Sequence, residues 1–197
     1  LINYAAKCKD LHGKSSPIFI RAIAAEGIGP VHSSVLHSIY MHFPGFRVCA
    51  PMTPKEYEEC WHEFMDNDDP MFVSEHRDSF QNSKELEDVM LETADITLFA
   101  ISSPRLVISE AVKLLKKDGI LCNIVHIVHL KPFVITERYL EPLRRSEFGL
   151  VIDVSFEICG ASRSIAYELR NLSGCPVKAL GLFDKTKCLC PPYQNKA

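Results

Sequence analysis

Short apolar runs rich in β-branched residues alternate with helix-signalled segments along nearly all of this 197-residue chain. The runs are "SPIFIRA" (16–22), "FRVCA" (46–50), "MFVSE" (71–75), "DITLFAIS" (95–102), "ILCNIVHIVHL" (120–130), "GLVIDVSF" (149–156) and "PVKALGL" (176–182). Each is short and bounded by polar or turn-forming residues, which is the pattern of a strand buried on both faces. A strand that is followed by a helix can return only as a parallel neighbour. The alternation therefore predicts an α/β fold with a mainly parallel sheet covered on both faces.

The intervening segments carry helix start and stop signals. Residues 2–11 read as a helix stopped at Gly13, and 33–42 as a short helix. Thr53, Pro54 and Glu56 combine a cap, a first-turn proline and a capping box, opening a helix that runs to about Asn67. Ser103 and Pro104 open another, with Val107, Ala111, Leu114 and Leu115 as its apolar face and Gly119 as its stop. Segments 136–145 and 162–172 complete the set. Between the third and fourth apolar runs the chain turns polar and acidic without a clear period. Residues 81–94 are read as a linker dividing a unit at 1–80 from a second at 95–197. At 47% hydrophobic residues the chain can supply a core to both.

Charge and composition exclude some functions. A formal charge of −3 argues against binding nucleic acid by charge alone. No apolar run reaches the length of a membrane span, and no secretory leader is recognisable. The eight cysteines are spread through the chain, several inside apolar runs, and read as buried free thiols in a reducing compartment. Cys188 and Cys190 are close together but lack a second pair to build a zinc cluster.

Few residues stand out for chemistry. His126 and His129 fall on opposite faces of a strand. His32, His37 and His42 are each turned about 140° from the last on a helix. Neither set forms a metal face, and these histidines, apart from His32, read as surface or hydrogen-bonded core. His32 follows a strand and a Gly-Pro turn and precedes a helix, where open α/β sheets bind ligands and where an imidazole can exchange a proton near neutral pH. The acidic segment 66–70 reads as a solvated helix end, or as a cation site using the free carbonyls there. Arg77 could reach an anion or a subunit face. No phosphate loop, dinucleotide fingerprint or nucleophile elbow is present.

Beyond this, the residues resemble a known family. "GPVHSS" followed by "HFPGFRVCAPMTPKEYEECWHEFMDNDDPMFVSEHR" resembles the pyrimidine-binding domain of the transketolase family. The likeness is greatest to the beta subunit of the decarboxylating component of 2-oxo acid dehydrogenase complexes. "ADITLFAISSPRLVISEAVKLLKKDGILCNIVHIVHLKPF", "GLVIDVSFEICGASRSIAYEL" and "GLFDKTKCLCPP" resemble that family's carboxyl-terminal domain, in the same order. Asp153 stands where the family more often has glutamate.

The resemblance implies a partial pyrimidine-binding domain at 1–80 and a transketolase C-terminal-like domain at 95–197. It implies a thiamine-diphosphate-dependent oxidoreductase that decarboxylates a 2-oxo acid, pyruvate or branched-chain, and passes the acyl group to lipoamide. The implied partners are an alpha subunit, a second beta subunit in a heterotetramer, and a dihydrolipoyl acyltransferase core, with magnesium held on the partner subunit. His32 is carried over as the catalytic histidine near the reacting centre. The glutamate that activates the cofactor would lie upstream of Leu1, and the isolated chain is expected to be inactive. A potassium ion is expected at Ile18, Phe64, Met65, Asn67 and Asp69. Such a protein is expected in the bacterial cytoplasm or the mitochondrial matrix. A non-catalytic assembly module, or a fragment of a transketolase or deoxyxylulose-phosphate synthase, is the alternative reading.

Overall fold

A computed structural model of the chain describes residues 1–24 and 33–185. His32, Cys188 and Cys190 lie outside the described residues. The elements run α1 (Ala5–His12), β1 (Phe19–Ala24), α2 (His37–His42), β2 (Arg47–Cys49), α3 (Pro54–Met65) and β3 (Met71–His76). After a single 3-10 turn (Arg77–Gln81) come β4 (Ile96–Ile101), α4 (Pro104–Lys117), β5 (Cys122–Ile127), β6 (His129–Lys131), α5 (Glu137–Ser146), β7 (Gly149–Phe156), α6 (Ala161–Ser173) and β8 (Val177–Leu182).

Two four-stranded sheets result, in the orders β1-β3-β2-β6 and β5-β4-β7-β8. The second is wholly parallel. The first is parallel except at β6, which pairs antiparallel with β2. The α/β expectation is met, with one correction. The apolar run 120–130 is not one long strand. It leaves the second sheet after Ile127, and His129–Lys131 crosses to close the edge of the first. The run hides such a switch because no turn-forming residue separates the two segments.

Local signals set several elements. Thr53 Oγ1 accepts from the Glu56 N–H, and Glu56 Oε2 accepts from the Met52 N–H at 2.8 Å, so the capping box closes one residue further back than the usual pattern. Gly13 ends α1 in the left-handed region with its N–H donating to Lys9 O at 3.0 Å. Gly45, at φ +81°, could not carry a side chain: a Cβ there would sit 2.0 Å from Ala6 O. That glycine lets α1 lie against the turn entering β2.

The helix α4 corrects a second expectation. Ile108 is buried, and Val112 and Leu115 pack with it against Leu98, Ala100 and Ile124, whereas Val107 and Leu114 are exposed. The buried stripe is rotated because Arg105, not an apolar residue, goes inward at the first turn. Its guanidinium is fully buried and binds the Glu56 carboxylate of α3, with Nη1 at 2.9 Å from Oε2.

The main core lies between the sheets. Phe46, Val48 and Phe72 of the first meet Phe99, Ile101, Val125 and Ile127 of the second, closed by Leu143, Ile165 and Leu169 from α5 and α6. Residues 82–94 are docked rather than free. Asp88 accepts from Arg138 Nε at 2.6 Å and from the His126 N–H at 2.8 Å, and Val89 bridges Ile124.

Candidate functional site

The site is built from Ser33 onward, where the described residues resume. Residues 33–36 lead into α2, whose first residue, His37, is fully buried. Its Nε2 donates to Asp153 Oδ2 at 2.8 Å, and its Nδ1 shares a hydrogen bond with Ser74 Oγ at 3.2 Å. Ser74 belongs to β3 and Asp153 to β7, so one ring joins both sheets. Ser155 Oγ donates to the same Asp153 oxygen, and the Val154 N–H donates to the other at 2.8 Å. Ser38 Oγ donates to Ser155 Oγ at 3.0 Å and accepts from the Ala161 N–H at 3.0 Å, at the start of α6. Burial alone would raise the Asp153 carboxyl. The His37 charge and the bonds from His37 and Ser155 outweigh it and hold that carboxyl below its ordinary range. The sealed His37–Asp153 pair can position α2, while Ser38 and Ser155 carry the network to the wall of an adjoining cleft.

Beside it a cleft of about 550 Å³ opens between α2 and the end of β7. Leu36, Ile39, Phe43, Phe156 and Ile158 give it apolar walls, and His42, Ser38 and Ser155 supply polar groups. No lysine or arginine lines it among the described residues. It can take an apolar or aromatic group, and offers no cation to an anionic one.

Of the expected potassium residues, four fall within 64–69 and Ile18 precedes β1, and most are otherwise engaged. Ile18 O accepts from the Met71 N–H at 3.0 Å and Phe64 O from the Asn67 N–H at 3.2 Å. Asn67 Nδ2 donates to Glu63 O at 2.7 Å, and Met65 is largely exposed. Asp69 lies 3.4 Å from Lys9 Nζ and 4.0 Å from Arg47 Nη1. The oxygen donors suit a hard cation. The one full charge among them already faces two cationic side chains, and in that state the set does not fit a potassium ion.

Sequence reasoning left His37 as surface or hydrogen-bonded core; it lies in the core, bonded to Asp153, a pairing that reasoning did not make. The pairing spans 116 positions, and no local spacing carries it. It also missed Glu63, His129 and Cys49, which meet through the β6 crossover. The available signal was the interruption of an apolar strand by two histidines three apart. Four cysteines, Cys8, Cys49, Cys60 and Cys122, are buried and unpaired as expected; Cys159 is exposed and Cys175 half-buried. Among the described residues no helix is long and apolar enough to cross a membrane.

Residues 2–82 match the family model "Transketolase, pyrimidine binding domain". The beta subunit of acetoin:2,6-dichlorophenolindophenol oxidoreductase from Cupriavidus necator is 23% identical over 98% of this chain and 60% of its own length. The pyruvate dehydrogenase E1 component subunit beta of Rickettsia felis is 22% identical over 84% of this chain and 55% of its own. The chain thus spans little more than half the length of these relatives. Among solved structures, a split-gene transketolase described as an inactive beta4 tetramer superposes with a TM-score of 0.67 at 21% identity, covering 85% of this chain and 58% of that one. Transketolase from Campylobacter jejuni gives 0.65 at 19% identity, over 90% and 29%. These likenesses establish the fold.

Proposed function

We propose, from the premise that residues 2–82 are a transketolase-family pyrimidine-binding domain, that this chain is the beta-type part of a thiamine-diphosphate-dependent 2-oxo acid dehydrogenase. The complete assembly would decarboxylate pyruvate or a branched-chain 2-oxo acid and pass the acyl group to lipoamide. It would contain an alpha subunit holding the diphosphate and magnesium, a second beta subunit, and a docked acyltransferase core. A cytoplasmic or mitochondrial-matrix location goes with that reading.

One observation carries it. The pyrimidine-domain match ends at residue 82, a second α/β unit follows it, and a beta-subunit relative aligns over 98% of the chain.

The family's cofactor supplies a carbanion at its thiazolium ring that attacks the substrate carbonyl. The described residues fit only part of that task. The cleft beside α2 has apolar walls for a ring system, but no basic side chain lines it to grip a diphosphate. No decarboxylation step is therefore assigned to these residues. His32, two residues before the cleft-lining Ser34, is the residue of this chain assigned to hydrogen bonding or proton transfer at the substrate or lipoyl group. A potassium ion at Ile18, Phe64, Met65, Asn67 and Asp69 would first have to displace Lys9 from Asp69, and potassium-dependent thermal stabilisation is its test.

The test is reconstitution with the alpha subunit of the source organism. The alpha subunit combined with the full beta polypeptide should bind thiamine diphosphate and reduce an artificial acceptor on addition of a 2-oxo acid. The 197-residue chain alone should not. Turnover with acetoin in place of 2-oxo acids would favour the activity named for the Cupriavidus relative. Failure of the chain to associate with any alpha subunit would favour a non-catalytic assembly module, and activity with sugar phosphates a transketolase-type fragment.

A further inference from the structure

We propose that Cys49, Glu63 and His129, backed by Cys60, form a site for one divalent transition-metal ion of the zinc class, independent of the thiamine chemistry. The Cys49 sulfur, a Glu63 carboxylate oxygen and a His129 ring nitrogen all lie within 4.8 Å of one another. They come from three elements. Cys49 on β2 and His129 on β6 are cross-strand partners, and Glu63 projects from α3. Cys60 lies three residues before Glu63 on the same helix face and is buried in one cluster with Cys49, Met71 and Val73.

The donor set has the softness of a zinc site: thiolate, imidazole and carboxylate. Zinc–ligand bonds of about 2.0–2.3 Å place neighbouring donor atoms roughly 3.5 Å apart in a tetrahedron. The present cluster brackets that spacing. His129 Nε2 and Glu63 Oε2 are 2.7 Å apart, while all three groups span no more than 4.8 Å. An ion entering between them replaces the proton that His129 now shares with Glu63.

The surroundings favour the same reading. Glu63 Oε1 is held by the Arg47 guanidinium, through Nε at 2.8 Å and through Nη2, which leaves Oε2 to face His129. A carboxylate ligand oriented through its second oxygen is the usual outer support of a metal site. One thiolate and one carboxylate offset the dication, and the Arg47 charge also faces Asp69 at 4.0 Å. A cavity of about 210 Å³ lined by Arg47, Glu63, His129, Pro132 and Tyr139 gives an ion a way in. On binding, Cys49 gives up its thiol proton to solvent, and the His129 proton moves from Nε2 to Nδ1, which leaves Nε2 free to ligate. The bound ion would pin β6 to β2 and α3, at the point where the second half of the chain crosses into the first sheet.

The test is cobalt titration of the 197-residue chain, stripped of metal and kept reduced. We expect about one equivalent to bind with a thiolate-to-cobalt charge-transfer band, and zinc to bleach it. Cys49→Ser should abolish the band, and His129→Gln should weaken binding about 10-fold or more. The double variant Cys188→Ser/Cys190→Ser guards against binding at the carboxyl-terminal pair and should keep the band. Circular dichroism reports whether each variant folds, and His129→Gln, at a half-exposed position, serves should Cys49→Ser misfold. Absence of any band, its survival in both Cys49→Ser and His129→Gln, or its loss in the Cys188/Cys190 variant would overturn the assignment.

Discussion

His37 Nε2 sits 2.8 Å from Asp153 Oδ2, and both side chains are sealed from solvent. The contact joins the first helix after the His32 turn to the second sheet. Breaking a buried pair from one side strands the other partner, at a cost of about 3 kcal/mol or more. Asp153→Ala should therefore lower unfolding free energy by about that amount in urea denaturation. The double variant His37→Leu/Asp153→Leu should recover part of the loss, because neither titratable partner is then buried alone; Ser74, Ser155 and the Val154 N–H still lose a bond and keep the recovery incomplete. A single-variant loss of a few tenths would show that the link contributes little.

Arg105 makes a similar bond between α4 and α3. Arg105→Met should destabilise by roughly 3 kcal/mol, since Glu56 loses its counter-charge while still accepting from the Met52 N–H. Adding Glu56→Gln should reduce the penalty. Thermal unfolding of the single and double variants measures the coupling.

Acid should act in two stages. Burial first, and then the Arg105 charge, push the His126 imidazole from 6.5 down to about 4. Below pH 6.5 the unfolded chain takes up a proton that the folded chain refuses. Stability present above pH 6.5 is thus lost as pH falls toward 4, by no more than roughly 3 kcal/mol. The second stage comes from Asp153. Its carboxyl is held below the ordinary 3.8, so its contribution is present above that pH and is lost as pH falls through the lower folded value. In urea midpoints measured against pH, His126→Asn should flatten the first stage and leave the second. An unchanged slope in that variant would remove His126 as the cause.

His32→Ala, made in the complete alpha-beta assembly, should reduce acyl transfer about 100-fold or more, the usual scale for a lost acid-base group. Thiamine diphosphate binding and the unfolding midpoint should stay near their original values. Single-turnover transfer to lipoamide is the appropriate readout, and a rate close to that of the unaltered assembly would withdraw the role.

Much of this was legible locally. The capping box at Thr53 and Glu56, the glycine stop at Gly13 and the run 149–156 each state their structure within a few residues, and each folds accordingly. The face of α4 was misread because periodicity assumes that apolar residues go inward. Arg105 goes inward instead, since Glu56 of another helix neutralises it. The break in 120–130 was illegible because β5 and β6 follow each other without a turn-forming residue, yet pair in different sheets.

The sequence by itself determined the class of fold, most helix ends and the likeness of its first 80 or so residues to a pyrimidine-binding domain, because those rest on short-range propensity and on the order of motifs. Only the tertiary structure decided which side chains meet: His37 with Asp153, Arg105 with Glu56, and Cys49 with Glu63 and His129. Their partners lie far away in the chain. Such contacts arise from how two sheets pack and where one strand crosses between them, and neither is encoded in the spacing of neighbouring residues.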